Sequence, residues 1–192
     1  MILATTCLLG CAGDPEEFEM PSFSPDQAAK TAMAALDSNQ DGQLSDAELA
    51  ACPPLLSVKD AVDTDGNNSL SANEIKARVA EYAATNTGLQ SLVCSATVRG
   101  RPLVGAVVKF IPVEFLTSAI GPAEATIRTN GSGVVLTGKL PGLAPGLYRV
   151  EVEAPSNSGR SIPAVYNSES KLWYEMNPSE PPHPAEFAVE MR

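Results

Sequence analysis

The sequence predicts an α + β fold in two modules: a helical module over residues 24–88, then an all-β sandwich of seven strands over 89–192. Three observations predict it. Two acidic stretches, 37–48 and 63–74, carry oxygen-bearing side chains at matching positions, with Leu44 or Leu70 eighth in each. Apolar residues at helical spacing stand on either side of them. Beyond about Gly88, Gly and Pro cut the chain into short runs rich in Val and aromatics, the texture of an all-β domain. The 192 residues give length for two modest cores.

The chain opens on an apolar run, Ile2 to Gly10, that ends in Leu8-Leu9-Gly10-Cys11. This tetrapeptide resembles a bacterial lipobox, whose Cys receives lipid and becomes the mature N-terminus. The resemblance implies a signal segment over 1–11, lipidation at Cys11 and an exported protein on the periplasmic or cell-surface face of a membrane. No Lys or Arg precedes Lys30 and the apolar run is short for a signal segment, which a start site further upstream would explain. Residues 12–23 follow as an acidic tether (Asp14, Glu16, Glu17, Glu19), too polar to bury a core. No other stretch is long and apolar enough to cross a bilayer, so membrane contact is expected through the lipid alone.

Ser24-Pro25-Asp26-Gln27 reads as a helix start. Ser is a favoured N-cap, Pro suits the first helical position and Gln27 completes a capping box. Ala28, Ala32, Met33 and Leu36 then recur at helical spacing. The helix leaving the first acidic stretch is short: Leu49 and Cys52 stand before Pro53-Pro54, which cannot continue it. Leu55, Val58 and Val62 predict a brief second entering helix. Ile75, Val79 and Tyr82 predict a last one ending near Gly88.

Between these helices lie Asp37-Ser-Asn39-Gln-Asp41-Gly42-Gln43-Leu44-Ser45-Asp-Ala-Glu48 and Asp63-Thr-Asp65-Gly-Asn67-Asn68-Ser69-Leu70-Ser71-Ala-Asn-Glu74. Both resemble the EF-hand calcium loop. That resemblance implies six to eight oxygens around each cation, from loop positions 1, 3, 5, 7, 9 and 12. Position 1 is Asp37 or Asp63, position 3 Asn39 or Asp65, and position 5 Asp41 or Asn67. Position 7, Gln43 or Ser69, would offer its backbone carbonyl, and position 9, Ser45 or Ser71, would act through water. Glu48 and Glu74 at position 12 would bind with both oxygens. The first loop fits D-x-[DN]-x-[DN]-G-x5-E throughout. The second has Asn68 where the pattern has Gly. That position needs a left-handed backbone, which Asn adopts more readily than most residues. Two Ca²⁺ sites are therefore expected, the second weaker. The apolar Leu44 and Leu70 suit loops paired across a short β-bridge.

A calcium sensor opens onto a Met-rich groove. Here the inward positions are largely Ala and Met33 is the one Met of the pair, so calcium is expected to be structural. With Cys7 and Cys11 assigned to the export signal, Cys52 and Cys94 remain. Outside the cell they are a candidate disulfide stapling the two modules, the alternative being two separate buried thiols. Two Cys and His183 make no zinc pattern.

The second half has candidate strands at 92–98, 105–113, 123–128, 134–140, 147–154, 171–176 and 185–191. In the fifth, Tyr148, Val150 and Val152 would face one way and Arg149, Glu151 and Glu153 the other. Asn130-Gly131 is a turn signal. Seven short strands in this length fit a β-sandwich. Ala96-Thr97-Val98 followed by Arg101-Pro102-Leu103-Val104-Gly105-Ala106-Val107-Val108-Lys109-Phe110 resembles the opening of carboxypeptidase-regulatory-like domains, with Ser95 where Gly is common. Thr129-Asn130-Gly131-Ser132-Gly133, Pro145-Gly146-Leu147-Tyr148-Arg149-Val150 and Ile162-Pro163-Ala164-Val165-Tyr166 with Ser168 to Leu172 continue the resemblance in order. It implies a transthyretin-like (prealbumin-like) sandwich that acts as a spacer or binding module without catalysis. The 5-hydroxyisourate-hydrolysing branch of that group needs several His and a C-terminal Tyr-Arg-Gly-Ser. This chain has His183 alone and ends Val189-Glu190-Met191-Arg192.

No catalytic residue is assigned. His183 lies among Pro181, Pro182 and Pro184, without a partner of catalytic type, and no phosphate-binding or dinucleotide fingerprint occurs. The formal net charge of −10 argues against nucleic acid and anionic headgroups as partners. Of the adjacent Trp173 and Tyr174, one should face the core and the other out, where it could meet an envelope protein or a glycan. Two rival readings stand beside calcium-stabilised display or adhesion. One is a dockerin-like assembly partner, although dockerins lack the entering helix predicted at Ser24 to Leu36. The other is an enzyme with an unfamiliar site.

Overall fold

The computed structural model describes residues 20–84, 87–155, 159, 161–180 and 183–191. The lipidation expectation at Cys11 and most of the acidic tether lie outside them. The described chain is α + β. Among the described residues, no helix is long and apolar enough to cross a membrane.

Helix α1, Pro25–Leu36, starts where Ser24 and Pro25 place it, and buries Ala28, Ala29 and Ala32. The expected capping box does not form. Ser24 makes no side-chain cap, and Gln27 Nε2 donates instead to Thr31 Oγ1 at 3.3 Å. After the first acidic loop come the one-turn helices α2, Asp46–Leu49, α3, Pro53–Ser57, and α4, Lys59–Val62. Pro53 and Pro54 thus open a helix as well as ending one, since a first turn needs no N–H donors there. Helix α5, Ala72–Ala84, leaves the second loop. The two-residue strands β1, Gln43–Leu44, and β2, Leu70–Ser71, join the loops antiparallel, with Leu44 opposite Leu70 and both fully buried.

The remaining strands are β3 (Val93–Val98), β4 (Arg101–Pro102), β5 (Val107–Pro112), β6 (Ala123–Thr126), β7 (Gly133–Val134), β8 (Leu136–Thr137), β9 (Leu140–Pro141), β10 (Gly146–Glu153), β11 (Trp173–Met176) and β12 (Ala185–Val189). One sheet runs β11-β10-β5-β6-β8-β9, and a smaller one runs β12-β3-β4 with β7 on β3. The strand expected over 134–140 is broken instead: β7 pairs with β3 in one sheet, while β8 pairs with β6 and β9 in the other. β12 lies parallel to β3, from Ala185 opposite Cys94 to Val189 opposite Val98. The inner faces meet through Phe110 of β5, whose ring stands edge-on to Phe187 of β12 at 6.0 Å and to Tyr174 of β11 at 5.9 Å. Tyr174 therefore faces inward, and Trp173 is half-buried on the other face.

Along β10, Tyr148, Val150 and Val152 are buried and Arg149, Glu151 and Glu153 half-exposed, as alternation requires. Leu147 breaks the rule, being only 2 % exposed on the outer face. It is covered by the helical half: Leu55, Val58, Ile75, Val79 and Tyr82 gather around it with Phe115. Glu175 stands opposite Leu147 on β11 and faces the same layer. The length that would serve two modest cores therefore builds one continuous core across both halves. The candidate Cys52–Cys94 staple does not form; both are free thiols, the alternative reading. Cys94 is buried on β3 in the smaller sheet, whereas Cys52 precedes α3 beside α1 and the Ile111–Phe115 segment of the larger sheet. The two thiols belong to different layers.

Candidate metal centre

Each acidic loop turns twice through a left-handed residue. In the first these are Gln40 (φ 59°) and Gly42 (φ 82°), in the second Gly66 (φ 72°) and Asn68 (φ 66°). Asn68 thus takes the same conformation as the glycine it stands for. Such turns bring successive polar side chains back onto the loop's own amides.

The same hydrogen bonds recur in both loops. The first aspartate accepts from the sixth residue's N–H: Gly42 N to Asp37 Oδ2 at 3.0 Å, Asn68 N to Asp63 Oδ2 at 2.8 Å. The third side chain accepts from the fifth N–H: Asp41 N to Asn39 Oδ1 at 2.9 Å, Asn67 N to Asp65 Oδ1 at 3.0 Å. The fifth accepts from the seventh: Gln43 N to Asp41 Oδ1 and Ser69 N to Asn67 Oδ1, both at 2.8 Å. The side chains at positions 1, 3 and 5 are thereby fixed around one concave turn.

The glutamate at position 12 closes each loop. Glu48 Oε1 accepts from Ser38 N at 3.0 Å and Asn39 N at 3.3 Å, and Oε2 from Ser45 N at 2.9 Å and Ser45 Oγ at 2.7 Å. Glu74 repeats this with Thr64 N at 2.9 Å, Asp65 N at 3.4 Å, Ser71 N at 2.8 Å and Ser71 Oγ at 2.9 Å. Each carboxylate ties the loop's beginning to its end. The Ser45 N–H, helped by the Ser45 hydroxyl and opposed by burial, holds the Glu48 carboxyl down to about 2. Burial pushes Glu74 up, but the N–H and hydroxyl of Ser71 and the N–H groups of Thr64 and Asp65 outweigh it and lower its pKa.

The donor set suits a hard cation. Asp63, Asp65 and Glu74 each offer an oxygen within 4.8 Å of the others, the one such cluster of acidic, His or Cys groups among the described residues. In the first loop the third position is the amide Asn39, so the equivalent set mixes Asp37, Asp41 and Glu48 with an amide oxygen. There, Asp37 Oδ1 and Gln43 Oε1 are buried without any hydrogen-bond partner. A buried carboxylate oxygen left unpaired is costly, and a bound cation would satisfy it. A buried side-chain oxygen at Gln43 was not foreseen, because the motif uses only the carbonyl of that position.

Ser38, Thr64, Asp46 and Lys59 also belong to the site's frame and carry no motif signal. Ser38 and Thr64 sit at position 2, where the loop pattern allows any residue. Lys59 is buried between the loops, donating to Asp46 Oδ1 at 2.6 Å and Asn68 Oδ1 at 2.7 Å. His183 is exposed, and Tyr174 Oη donates to its backbone carbonyl at 3.1 Å rather than to the ring. Comparison of the chain with protein-family models, with curated proteins and with solved structures gives no match.

Proposed function

We propose that the chain is a calcium-binding, lipid-anchored protein of the cell envelope, in which an EF-hand pair stiffens a non-catalytic β-sandwich of carboxypeptidase-regulatory-like, transthyretin-like type. The observation that carries the calcium reading is the repetition of one hydrogen-bond frame in two loops, each closed by a glutamate and each fixing oxygens at positions 1, 3 and 5. The unpartnered Asp37 Oδ1 supports it. Carboxylate and amide oxygens without sulfur or imidazole favour Ca²⁺ over zinc or copper.

The shared core, and a buried ion pair between Arg78 of α5 and Glu175 of β11, support a structural role for the ion over a sensing one. Helix α5 starts at the second loop and is held against β11, so an ordered loop braces the sheet. A full entering helix, α1, weighs against the dockerin-like reading. The envelope location and lipid rest on the Leu8–Cys11 resemblance. The display or adhesion role rests on the resemblance in the β half.

Calcium titration of the full chain by calorimetry tests the reading. Two binding events are expected, in the range of about 10⁻⁴ to 10⁻³ M typical of extracellular modules. No heat of binding, together with a melting curve indifferent to chelator, would refute it. Labelling with a fatty-acid probe, lost in Cys11→Ala, tests the anchor separately.

A further inference from the structure

Lys59 opens α4 and is only 6 % exposed, rare burial for a lysine. Its ammonium holds Asp46 and Asn68 together. Asp46 is the tenth residue of the first loop and opens α2, while Asn68 is the sixth residue of the second. Asn68 also donates its N–H to Asp63 Oδ2 at 2.8 Å. A chain of hydrogen bonds therefore runs from the first loop, through Lys59, to the first carboxylate of the second. A glycine at 68 would adopt the φ of 66° more cheaply but would offer Lys59 no oxygen. The departure from the loop pattern at Asn68 thus has a contact that the pattern residue could not make.

We infer that Asn68 is a positioning residue for the second loop, and that the Asp46–Lys59–Asn68 chain couples the two loops so that occupation of one favours the other. This rests on the calcium reading above. Glu48 ties the first loop to the first turn of α2, where Asp46 sits. Asp46 anchors Lys59, Lys59 anchors Asn68, and Asn68 orients Asp63. With the first loop ordered, the second has its first ligand already aimed. By linkage the coupling acts equally in both directions. The β1–β2 pairing keeps the loops adjacent, and the lysine supplies a second, side-chain connection between them.

Calcium titration of the full chain and of Asn68→Gly, Asn68→Asp and Lys59→Met tests this. Asn68→Gly, although it relaxes the backbone, is expected to weaken the second site about tenfold, or about 1.4 kcal/mol, and to lower the Hill coefficient. Lys59→Met should do the same, and combining it with Asn68→Gly should add nothing. Asn68→Asp keeps the acceptor and should bind like the parent. Metal-free melting separates this from a merely structural role, which would move all melting temperatures and leave cooperativity intact. A folded Asn68→Gly that binds as tightly and cooperatively as the parent overturns the inference alone. A parent chain that takes up no calcium overturns the metal reading and this inference with it.

Discussion

Arg78 on α5 and Glu175 on β11 form a two-pronged buried ion pair, with Nε to Oε1 at 2.9 Å and Nη2 to Oε2 at 2.8 Å. Both side chains are more than nine-tenths buried. Tyr82, one turn on from Arg78, donates its hydroxyl to the same carboxylate. Glu81 and Glu180 take the remaining Arg78 nitrogen, at 2.8 Å and 2.6 Å. Burial works against the Arg78 charge, but the Glu175 carboxylate outweighs it and raises the guanidinium pKa above its ordinary value. Burial, then Glu175, pushes the Tyr82 hydroxyl well up, so it stays a donor at any ordinary pH.

Removing Arg78 leaves the Glu175 carboxylate buried without a counter-ion, whereas removing Glu175 leaves Arg78 the more exposed Glu81 and Glu180. Arg78→Met is therefore expected to cost about 3–5 kcal/mol, and Glu175→Met less than that. The double replacement removes both charges and fills similar volume, so it should cost clearly less than the two single changes added together. Urea denaturation of the four proteins checks this. Additive costs would mean that the two residues are not coupled.

Calcium, bound as proposed, would leave a separate signature. Calcium at ten times its dissociation constant should add roughly 1.4 kcal/mol per occupied site. Glu48→Gln and Glu74→Gln each remove the closing carboxylate of one loop, so each should leave one binding event, weaker than in the parent because the loops are coupled, and less than half the calcium-induced gain in melting temperature. The double variant should show neither. Calorimetry and thermal melts with and without chelator measure both quantities.

The conformation the two loops share was legible in the sequence because oxygen-bearing side chains recur at the same steps of both, and a twelve-residue turn leaves each a fixed place. Asp37, Asp63, Glu48 and Glu74 could be read in that way. The alternation of β10 was readable because one face packs against the core. Arg78 and Glu175 were not readable: they lie 97 positions apart and each looks like ordinary surface charge. Leu147 showed only an apolar residue out of phase, whose reason is the helical layer above it. The broken strand at 134–140 follows from glycines. Gly133 packs against the Thr126 carbonyl while β7 pairs with β3, and Gly138 takes a left-handed φ of 60° that turns β8 back onto β9, so no single strand runs through the segment. Lys59 carried no pattern at all, since its burial comes from the approach of two loops.

The two free thiols are expected to differ in reactivity, because Cys94 is buried and Cys52 is not fully so. Burial pushes the Cys94 thiol up to about 12, so far less of it is thiolate at pH 8 than of an unhindered thiol. Cys52 is half-buried, and desolvation raises its pKa as well. Iodoacetamide at pH 8 should leave the Cys94 peptide unlabelled in the folded chain and label it fully in denaturant, with the Cys52 peptide reacting ahead of it. A Cys52–Cys94 disulfide peptide in the non-reduced digest would contradict the separation of the two layers.

Gly133 marks the tightest backbone approach in the β half. A Cβ there would lie 2.6 Å from the Thr126 carbonyl oxygen and 3.2 Å from the Ala125 Cβ, and the first of these is backbone that cannot swing aside. Gly133 also pairs with Cys94, so any shift is transmitted to β3. Gly133→Ala is expected to cost about 1–3 kcal/mol, the usual effect of overpacking. Gly121→Ala is the matched control, because a Cβ there meets nothing within 4 Å and its φ is not left-handed. That variant should melt within a degree or two of the parent, a change of less than about 0.5 kcal/mol. Equal melting temperatures for the two variants would mean that β7 does not approach β6 as closely as described.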